Sequence, residues 1–290
     1  MKQNELTNIA YIRELSEKYG FSNSKSFGQN FIINPGICPR IAQEAGIDKD
    51  TNVLEIGPGF GVLTRELARC GAKVAAVEID DRLPPLLAET LADFSNVEII
   101  SGDVLKLDLH ALLKETFSEG RTVVCANLPY YITSPILMKL LEERLPVESI
   151  TVMVQREAAQ RLTAAEGSRA SGAISLAVRY YAEAEKLFDV QPGSFYPPPK
   201  VVSSVIRLLP RKTPPVSPKS EKALFRTIRA GFSQRRKTAA NAVSAGTGCP
   251  KEAVREALCA LGLSENMRPE QMSLQNFSDL SDLLFEGGAG

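Results

Sequence analysis

From residue 51 to residue 155 short apolar runs alternate with longer amphipathic stretches. The runs Thr51–Ile56, Lys73–Ile79, Val97–Ser101, Thr122–Ala126 and Ile150–Gln155 are largely apolar, as buried strands are. Between them, Gly61–Cys70, Arg82–Ala92, Leu109–Phe117 and Ser134–Arg144 carry the spacing of helices with one buried face. This alternation predicts a parallel sheet with helices on both faces, an α/β fold. A helix is also predicted over 4–19, where Leu6, Ile9, Ile12 and Leu15 share a face ahead of Gly20. A polar stretch, Ser22 to Gln29, follows it. A helix near Ser171–Tyr181 and strands at Glu185–Val190 and Val201–Leu209 complete the α/β part.

The segment Arg211-Lys212-Thr213-Pro214-Pro215-Val216-Ser217-Pro218 reads as a linker. Beyond it the strand signal stops, and helices are predicted at Lys219–Phe232, Arg235–Ser244, Lys251–Leu261 and Leu274–Leu284. The expected organisation is an α/β domain over 1–210 with an N-terminal helical extension, then a small all-α domain over 211–290. No internal repeat is present.

Composition narrows the classes. Lys+Arg and Asp+Glu are both 34, so no global field attracts nucleic acid, and any basic surface must be local. The five cysteines, at 38, 70, 125, 249 and 259, include no C-x-x-C pair and suit neither a zinc site nor a disulfide framework. They point to a reducing cytosol. The opening residues lack an apolar leader, and no run is long enough to span a bilayer, so a cytoplasmic protein without membrane contact is expected. His110, the one histidine, has no other His and no Cys or acidic cluster around it, so no metal site is expected.

The candidate chemistry gathers at strand ends. Asn127-Leu128-Pro129-Tyr130 follows the apolar run 123–126, which presents an amide, a backbone carbonyl and an aromatic ring at the C-terminal end of a strand. In an open α/β sheet, ligands bind at that edge. An exocyclic amino group on a base needs two acceptors, and its ring needs a π-face. The alternative is an Asn turn with a Tyr packed nearby. Glu55-Ile56-Gly57-Pro58-Gly59-Phe60-Gly61 lies between the first βα strand and its helix. Its glycine spacing departs from G-x-G-x-x-G, and Pro58 removes an N–H that would cradle phosphate, which disfavours a pyrophosphate ligand. The loop instead resembles the E-x-G-x-G-x-G loop of S-adenosylmethionine-dependent methyltransferases. Glu78 ends the second of these strands, placed to accept from ribose hydroxyls. Asp103 follows the third, placed to accept from an adenine amino group. Either acid alone is more often a solvated strand-end residue; together with the glycine loop, in three successive units, they point to a nucleoside site.

Taken in order, the motifs resemble the ribosomal RNA adenine N6-dimethyltransferases of the KsgA type over nearly the whole chain. Phe27-Gly28-Gln29-Asn30-Phe31-Ile32 matches the family's F-G-Q-N-F-L with Ile for Leu. Asn127 to Thr133 matches the catalytic motif, and Met153 to Glu157 the segment after the fifth strand. Phe195-Tyr196-Pro197-Pro198-Pro199-Lys200-Val201 matches the F-x-P-x-P-K-V loop. Gly231 to Thr238 matches the start of the helical part. Arg268 to Leu274 resembles its R-x-E-x-L-S stretch, with Met for Leu. The resemblance implies a Rossmann-like class I S-adenosylmethionine-dependent methyltransferase domain, with S-adenosyl-L-homocysteine as product and no metal. It places Asn30, Ile32, Gly57, Glu78, Asp103 and Asn127 at the cofactor, and Asn127, Leu128, Tyr130 and Phe195 at the target base.

In that reading the Asn127 side-chain oxygen and the Leu128 carbonyl accept from adenine N6, while Tyr130 and Phe195 stack on the two faces of an extruded base. On local sequence alone Phe195 is as readily a core aromatic. RNA contact is expected from a run with no acid between Lys222 and Lys251, in particular Arg226, Arg229, Arg235, Arg236 and Lys237, with Lys25 and Arg156 as additions. The implied partner is 16S rRNA in an immature small ribosomal subunit, and the implied reaction is dimethylation of two adjacent adenines in its 3′-terminal hairpin by a monomer. Two alternatives stay open. One is a large-subunit RNA dimethyltransferase of the kind that confers antibiotic resistance. The other is a non-catalytic RNA-binding assembly or transcription factor on the same fold.

Overall fold

The computed structural model describes residues 5–21, 30–117, 120–234 and 236–285. Its nine strands among these residues are β1 (Phe31–Ile32), β2 (Thr51–Ile56), β3 (Lys73–Glu78), β4 (Val97–Ser101), β5 (Arg121–Asn127), β6 (Ser149–Gln155), β7 (Ala182–Val190), β8 (Phe195–Tyr196) and β9 (Ser203–Pro210). The helices of the α/β part are α1 (Ile9–Lys18), α2 (Ile37–Glu44), α3 (Val62–Cys70), α4 (Leu83–Thr90), α5 (Leu109–Thr116), α6 (Thr133–Glu142) and α7 (Arg156–Leu162). The remaining helices are α8 (Ala173–Tyr181), α9 (Glu221–Phe232), α10 (Ala239–Thr247), α11 (Lys251–Ala260) and α12 (Leu274–Leu284).

Seven strands form one sheet in the order β4-β3-β2-β5-β6-β9-β7, and β1 and β8 form a separate antiparallel pair. Strand β2 is buried at every residue, as a strand with a parallel partner on each side should be. The β2–β3, β3–β4, β2–β5 and β5–β6 pairs are parallel, and β9 joins β6 antiparallel. The chain therefore moves outward from β2 to β3 and β4, then returns to the other side of β2 as β5. That reversal opens a crevice at the carboxyl ends of β2 and β5, where ligands bind in such sheets. Their shared register, Leu54 opposite Val124, brings the loop after Ile56 level with Asn127.

One face of the sheet, with Val53, Val74, Val123, Cys125, Met153 and Val205, packs on α2 and α3 through Ile41, Ala42, Leu63 and Leu67. A second cluster joins α1 (Ile12, Leu15) to α4 (Leu83, Leu86, Leu87) around Phe60. His110 Nε2 lies 2.8 Å from the Glu143 carbonyl and ties α5 to the end of α6. The five cysteines are free thiols.

Helix boundaries follow caps. The predicted helix 4–19 begins as a 3-10 turn, and α1 proper starts after Asn8, whose side chain accepts from Ala10 N at 2.8 Å. Helix α10 starts at Ala239, not near 235, because Thr238 is its N-cap.

The chain divides into two compact units. The first runs to Ala159 and adds Glu185–Pro210; the second takes Gln160–Ala184 and the residues from Arg211 onward. The helical unit thus contains α8 in addition to the helices that follow the 211–218 segment. There Tyr180 and Tyr181 pack on Phe225 of α9, with ring centroids at 5.2 and 5.4 Å, and both hydroxyls reach the Glu221 carboxylate.

Candidate active site

A cavity of about 140 Å³ opens at the crevice between β2 and β5. Its wall on the β2 side is Gly57-Pro58-Gly59-Phe60-Gly61. Gly57, Gly59 and Gly61 have φ of +69°, +57° and +86°, a region that side chains with a Cβ rarely enter. The glycines thus shape this loop through backbone conformation. At Gly61 the space is also closed, since a Cβ would lie 3.2–3.3 Å from Leu91, Leu87 and Thr90. Hydrogen bonds anchor the turn at both ends, from Gly57 N to Val77 O at 2.9 Å and from Gly61 N to Pro58 O at 2.9 Å.

The next two strands each deliver an acid. Glu78, 5% exposed, ends β3, and its Oε1 accepts from Asp80 N at 2.8 Å. Burial pushes its carboxyl pKa up, partly opposed by the backbone N–H groups of Asp80, Ile79 and Gly59. Asp103 follows β4; its Oδ1 accepts from Leu105 N at 3.0 Å, and Lys106 lies 3.5 Å away. Beneath them lies Glu55, whose Oε2 has no hydrogen-bond partner and whose carboxyl is pushed up to about 8, chiefly by burial. Asp80 also lines the cavity, and Arg82 holds its carboxyl below the usual range. Among the described lining residues there are four acids and no Lys or Arg. A phosphate-bearing ligand would meet repulsion here; a ligand with hydroxyls, an ammonium or a sulfonium would not.

The facing wall is Asn127-Leu128-Pro129-Tyr130. Leu128, 1% exposed, fixes its peptide by donating N–H to Met153 O at 3.2 Å. Pro129 closes on the glycine loop, its Cδ 4.0 Å from where a Cβ on Gly57 would stand. The Tyr130 hydroxyl lies 2.6 Å from Ser203 Oγ. Burial pushes the phenol pKa up, so it stays protonated. Tyr131 is 64% exposed beside it.

The structure brings eight of the expected residues to this one cavity: Asn30, Ile32, Gly57, Glu78, Asp103, Asn127, Leu128 and Tyr130. It does not bring Phe195. That ring is 2% exposed in the core with Ile32, Cys38, Val190 and Val205. The reason is strand parity. In β8, Phe195 pairs with Ile32 and takes the face toward the sheet core, while Tyr196 takes the opposite face, against the α1–α4 cluster, and accepts from Arg13 Nε at 2.9 Å. Residues 27–29 of the N-terminal motif lie outside the described residues.

Sequence reasoning missed Ile79, Asp80 and Ser203. An apolar residue between two acids at a strand end was the available signal for Ile79, which the structure leaves 55% exposed. Nothing local marked Ser203.

The candidate RNA residues divide. Arg229, Arg236 and Lys237 are exposed, and Arg235 and Lys25 lie outside the described residues. Arg226 is committed to the fold: its Nη2 donates to Thr247 O at 2.6 Å, at the end of α10, and its guanidinium lies 5.1 Å from the Phe285 ring centre. It is a structural cation, already used within the helical unit.

This geometry agrees with comparisons against known proteins. The family described as "Ribosomal RNA adenine dimethylase" matches residues 20–285. This chain belongs to that family. The dimethylase sequence is 47% identical over 278 residues to the ribosomal RNA small subunit methyltransferase A of Geobacillus thermodenitrificans, with 94% of each chain covered. It is 47% identical over 276 residues to the protein of that name from Bacillus mycoides, again with 94% of each covered. Among solved structures, a dimethyladenosine transferase from Plasmodium falciparum superposes with a TM-score of 0.68 at 25% identity, covering 86% of this chain and 95% of that one. The 23S rRNA methyltransferase ErmE gives 0.65 at 27% identity, covering 88% and 99%. The dimethylase fold is that of the class I S-adenosylmethionine-dependent methyltransferases, with a helical C-terminal part.

Proposed function

We propose that this dimethylase transfers two methyl groups from S-adenosylmethionine to N6 of each of two adjacent adenines in the 3′-terminal hairpin of 16S rRNA, during small-subunit assembly. One observation carries the reading: the Asn127–Tyr130 turn opens into the same cavity as the glycine loop and the acids at the ends of β3 and β4. Those residues fit the cofactor. Glu78 would accept from its ribose hydroxyls and Asp103 from its adenine amino group, while the acidic lining suits its positive charge. When bound, S-adenosylmethionine supplies a methyl group on a sulfonium, already a good leaving group.

The remaining work is positioning. An adenine N6 is a poor nucleophile because its lone pair is delocalised into the ring. Hydrogen bonds from N6–H to the Asn127 side-chain oxygen and the Leu128 carbonyl would draw the nitrogen toward tetrahedral geometry and free that pair. Leu128 suits the task because its own N–H is held by the Met153 carbonyl, which fixes the residue that carries the acceptor. Tyr130, fixed by Ser203, would stack on one face of the base; exposed Tyr131 stands at the cavity mouth where Phe195 does not reach. The product ammonium sheds its proton readily, so no strong base is needed. We take the enzyme to act as a cytoplasmic monomer; among the described residues no helix is long and apolar enough to cross a membrane.

The test is incubation with labelled S-adenosylmethionine and small or large subunits that lack the modification, followed by mapping of the labelled base. Label on two neighbouring adenines near the small-subunit RNA's 3′ end is expected, and Asn127→Ala should abolish most of it while RNA affinity stays near wild type. Label confined to the large subunit would replace this reading with the resistance-type enzyme.

A further inference from the structure

Arg65 lies in the first turn of α3, yet it is only 4% exposed, and neither its Nε–H nor its Nη1–H meets an acceptor. A guanidinium keeps its charge at any working pH, and a buried charge without a partner is strongly unfavourable. The side chain borders a second cavity, of about 50 Å³. By this measure one water needs roughly 10–15 Å³, so there is room for several waters or one small ion. Val62 borders both this cavity and the cofactor crevice.

Among the described residues, the groups around it do not balance the charge. Glu66 borders the cavity, but its carboxylate is paired with Arg69. Burial, reinforced by Glu55 and Glu66, pushes the Cys38 thiol up, so it stays neutral. Asn34 turns its Oδ1 to Gly36 N at 3.0 Å, and its Nδ2 reaches Ser194 Oγ only at 3.4 Å, the long limit of a hydrogen bond. Leu6, Pro35 and Pro39 close the wall with apolar surface. The cavity thus combines a buried guanidinium with two unpartnered nitrogens, an under-used amide donor and, among the described lining residues, a single carboxylate, Glu66, already paired with Arg69.

We infer that this cavity binds a phosphate-sized oxyanion, held by Arg65 with the Asn34 amide beside it. Charge-assisted hydrogen bonds to such an ion satisfy the N–H groups that the protein leaves open. The same chemistry has two sources, free inorganic phosphate or a backbone phosphate of RNA. The site is independent of the methyl-transfer reading, since none of its donors lines the cofactor crevice.

The experiment titrates inorganic phosphate into the full chain at constant ionic strength against chloride, following thermal unfolding and the ³¹P line width, for wild type, Arg65→Met and Arg65→Gln. For wild type we expect a rise in Tm of about 3–5 °C for each tenfold excess of phosphate over its Kd, with broadening of the ³¹P line. Both variants should lose the phosphate-specific rise and, without phosphate, be at least as stable as wild type. RNA binding then separates the sources. If the ion is an RNA phosphate, Arg65→Met lowers the log–log salt slope by roughly 0.7–0.9; if it is free phosphate, the slope is unchanged. An equal phosphate response in all three proteins, or no broadening with wild type, overturns the proposal and leaves the cavity to water. Should one variant fail to fold, the comparison of the other with wild type decides.

Discussion

Ser203 shows how a residue without a motif of its own can serve one. It is fully buried in β9, opposite Gln155, and its Oγ holds the Tyr130 hydroxyl at 2.6 Å. Ser203→Ala leaves that phenol without its partner, an unfavourable change of about 1–3 kcal/mol. If Tyr130 positions the base, part of this emerges in turnover: roughly a tenfold fall in a single-round methylation assay, with cofactor affinity unchanged and Ser203→Thr restoring activity. Unaltered turnover would leave the bond a structural one. Glu55 gives a second prediction, on pH. Its carboxyl is raised to about 8 by burial, so between the unfolded value of 4.5 and about 8 the folded chain holds a proton the unfolded chain has released. Its contribution to stability is complete below 4.5 and lost as pH rises through 8. In the ligand-free protein, Glu55→Gln should remove that loss, on the order of a few kcal/mol, so that the variant is the more stable at pH 9 and matches wild type near pH 4. Denaturant titrations across this range check it; parallel curves would mean that Glu55 ionises freely in the fold.

At the scale of elements, much of the architecture can be read from the chain, and the exceptions have physical reasons. Five strands and their helices are legible because buried strands are apolar throughout and their helices keep one apolar face. The crevice residues Gly57, Glu78, Asp103 and Asn127 are legible because each stands at or just after the end of such a strand, whereas Asn30 and Ile32 are reached only through the family resemblance. Helix α2 is not among the helices read from the sequence; it carries a proline, but Pro39 stands in its first turn, where no intrahelical N–H is required. The β1–β8 pair joins two-residue strands far apart in sequence, so no local pattern announces it, and its parity is what buries Phe195. Helix crossings are equally silent. Gly246 in α10 faces Ala230 in α9 so closely that an added Cβ would stand 2.6 Å from the Ala230 Cβ. Backbone lies there too, with Ala230 Cα at 2.8 Å, so no flexible side chain can yield. Despite alanine's better helix propensity, Gly246→Ala should destabilise the helical unit by about 1–3 kcal/mol through overpacking. Cofactor affinity should hold, because every described residue of the crevice belongs to the other unit. Calorimetric unfolding with and without S-adenosylmethionine distinguishes the two effects, and a higher unfolding temperature in the variant would contradict the close crossing.

For the whole molecule the governing fact is a formal net charge of zero, so affinity for a polyanion must come from where the cations stand. Spacing in the sequence groups Arg226 with its neighbours, because charge runs do not reveal which side chains the fold has already used. The structure separates them: Arg226 closes the end of α10, while Arg229, Arg236 and Lys237 remain exposed. This division predicts different consequences. Arg226→Ala should lower thermal stability, since it removes a hydrogen bond to Thr247 and the cover over Phe285. Joint Arg236→Ala and Lys237→Ala should leave stability near wild type, because both side chains are exposed. It should instead weaken binding to RNA and reduce the log–log salt slope by roughly 0.7–0.9 for each phosphate no longer neutralised, about 1.4–1.8 for the pair. Measurement over a range of salt concentrations separates this from a fold defect, which would weaken binding without changing the slope in that proportion. A normally folded double variant with the wild-type slope would show that these two cations do not face the RNA, and would move the footprint to other exposed cations such as Arg229 or Arg156.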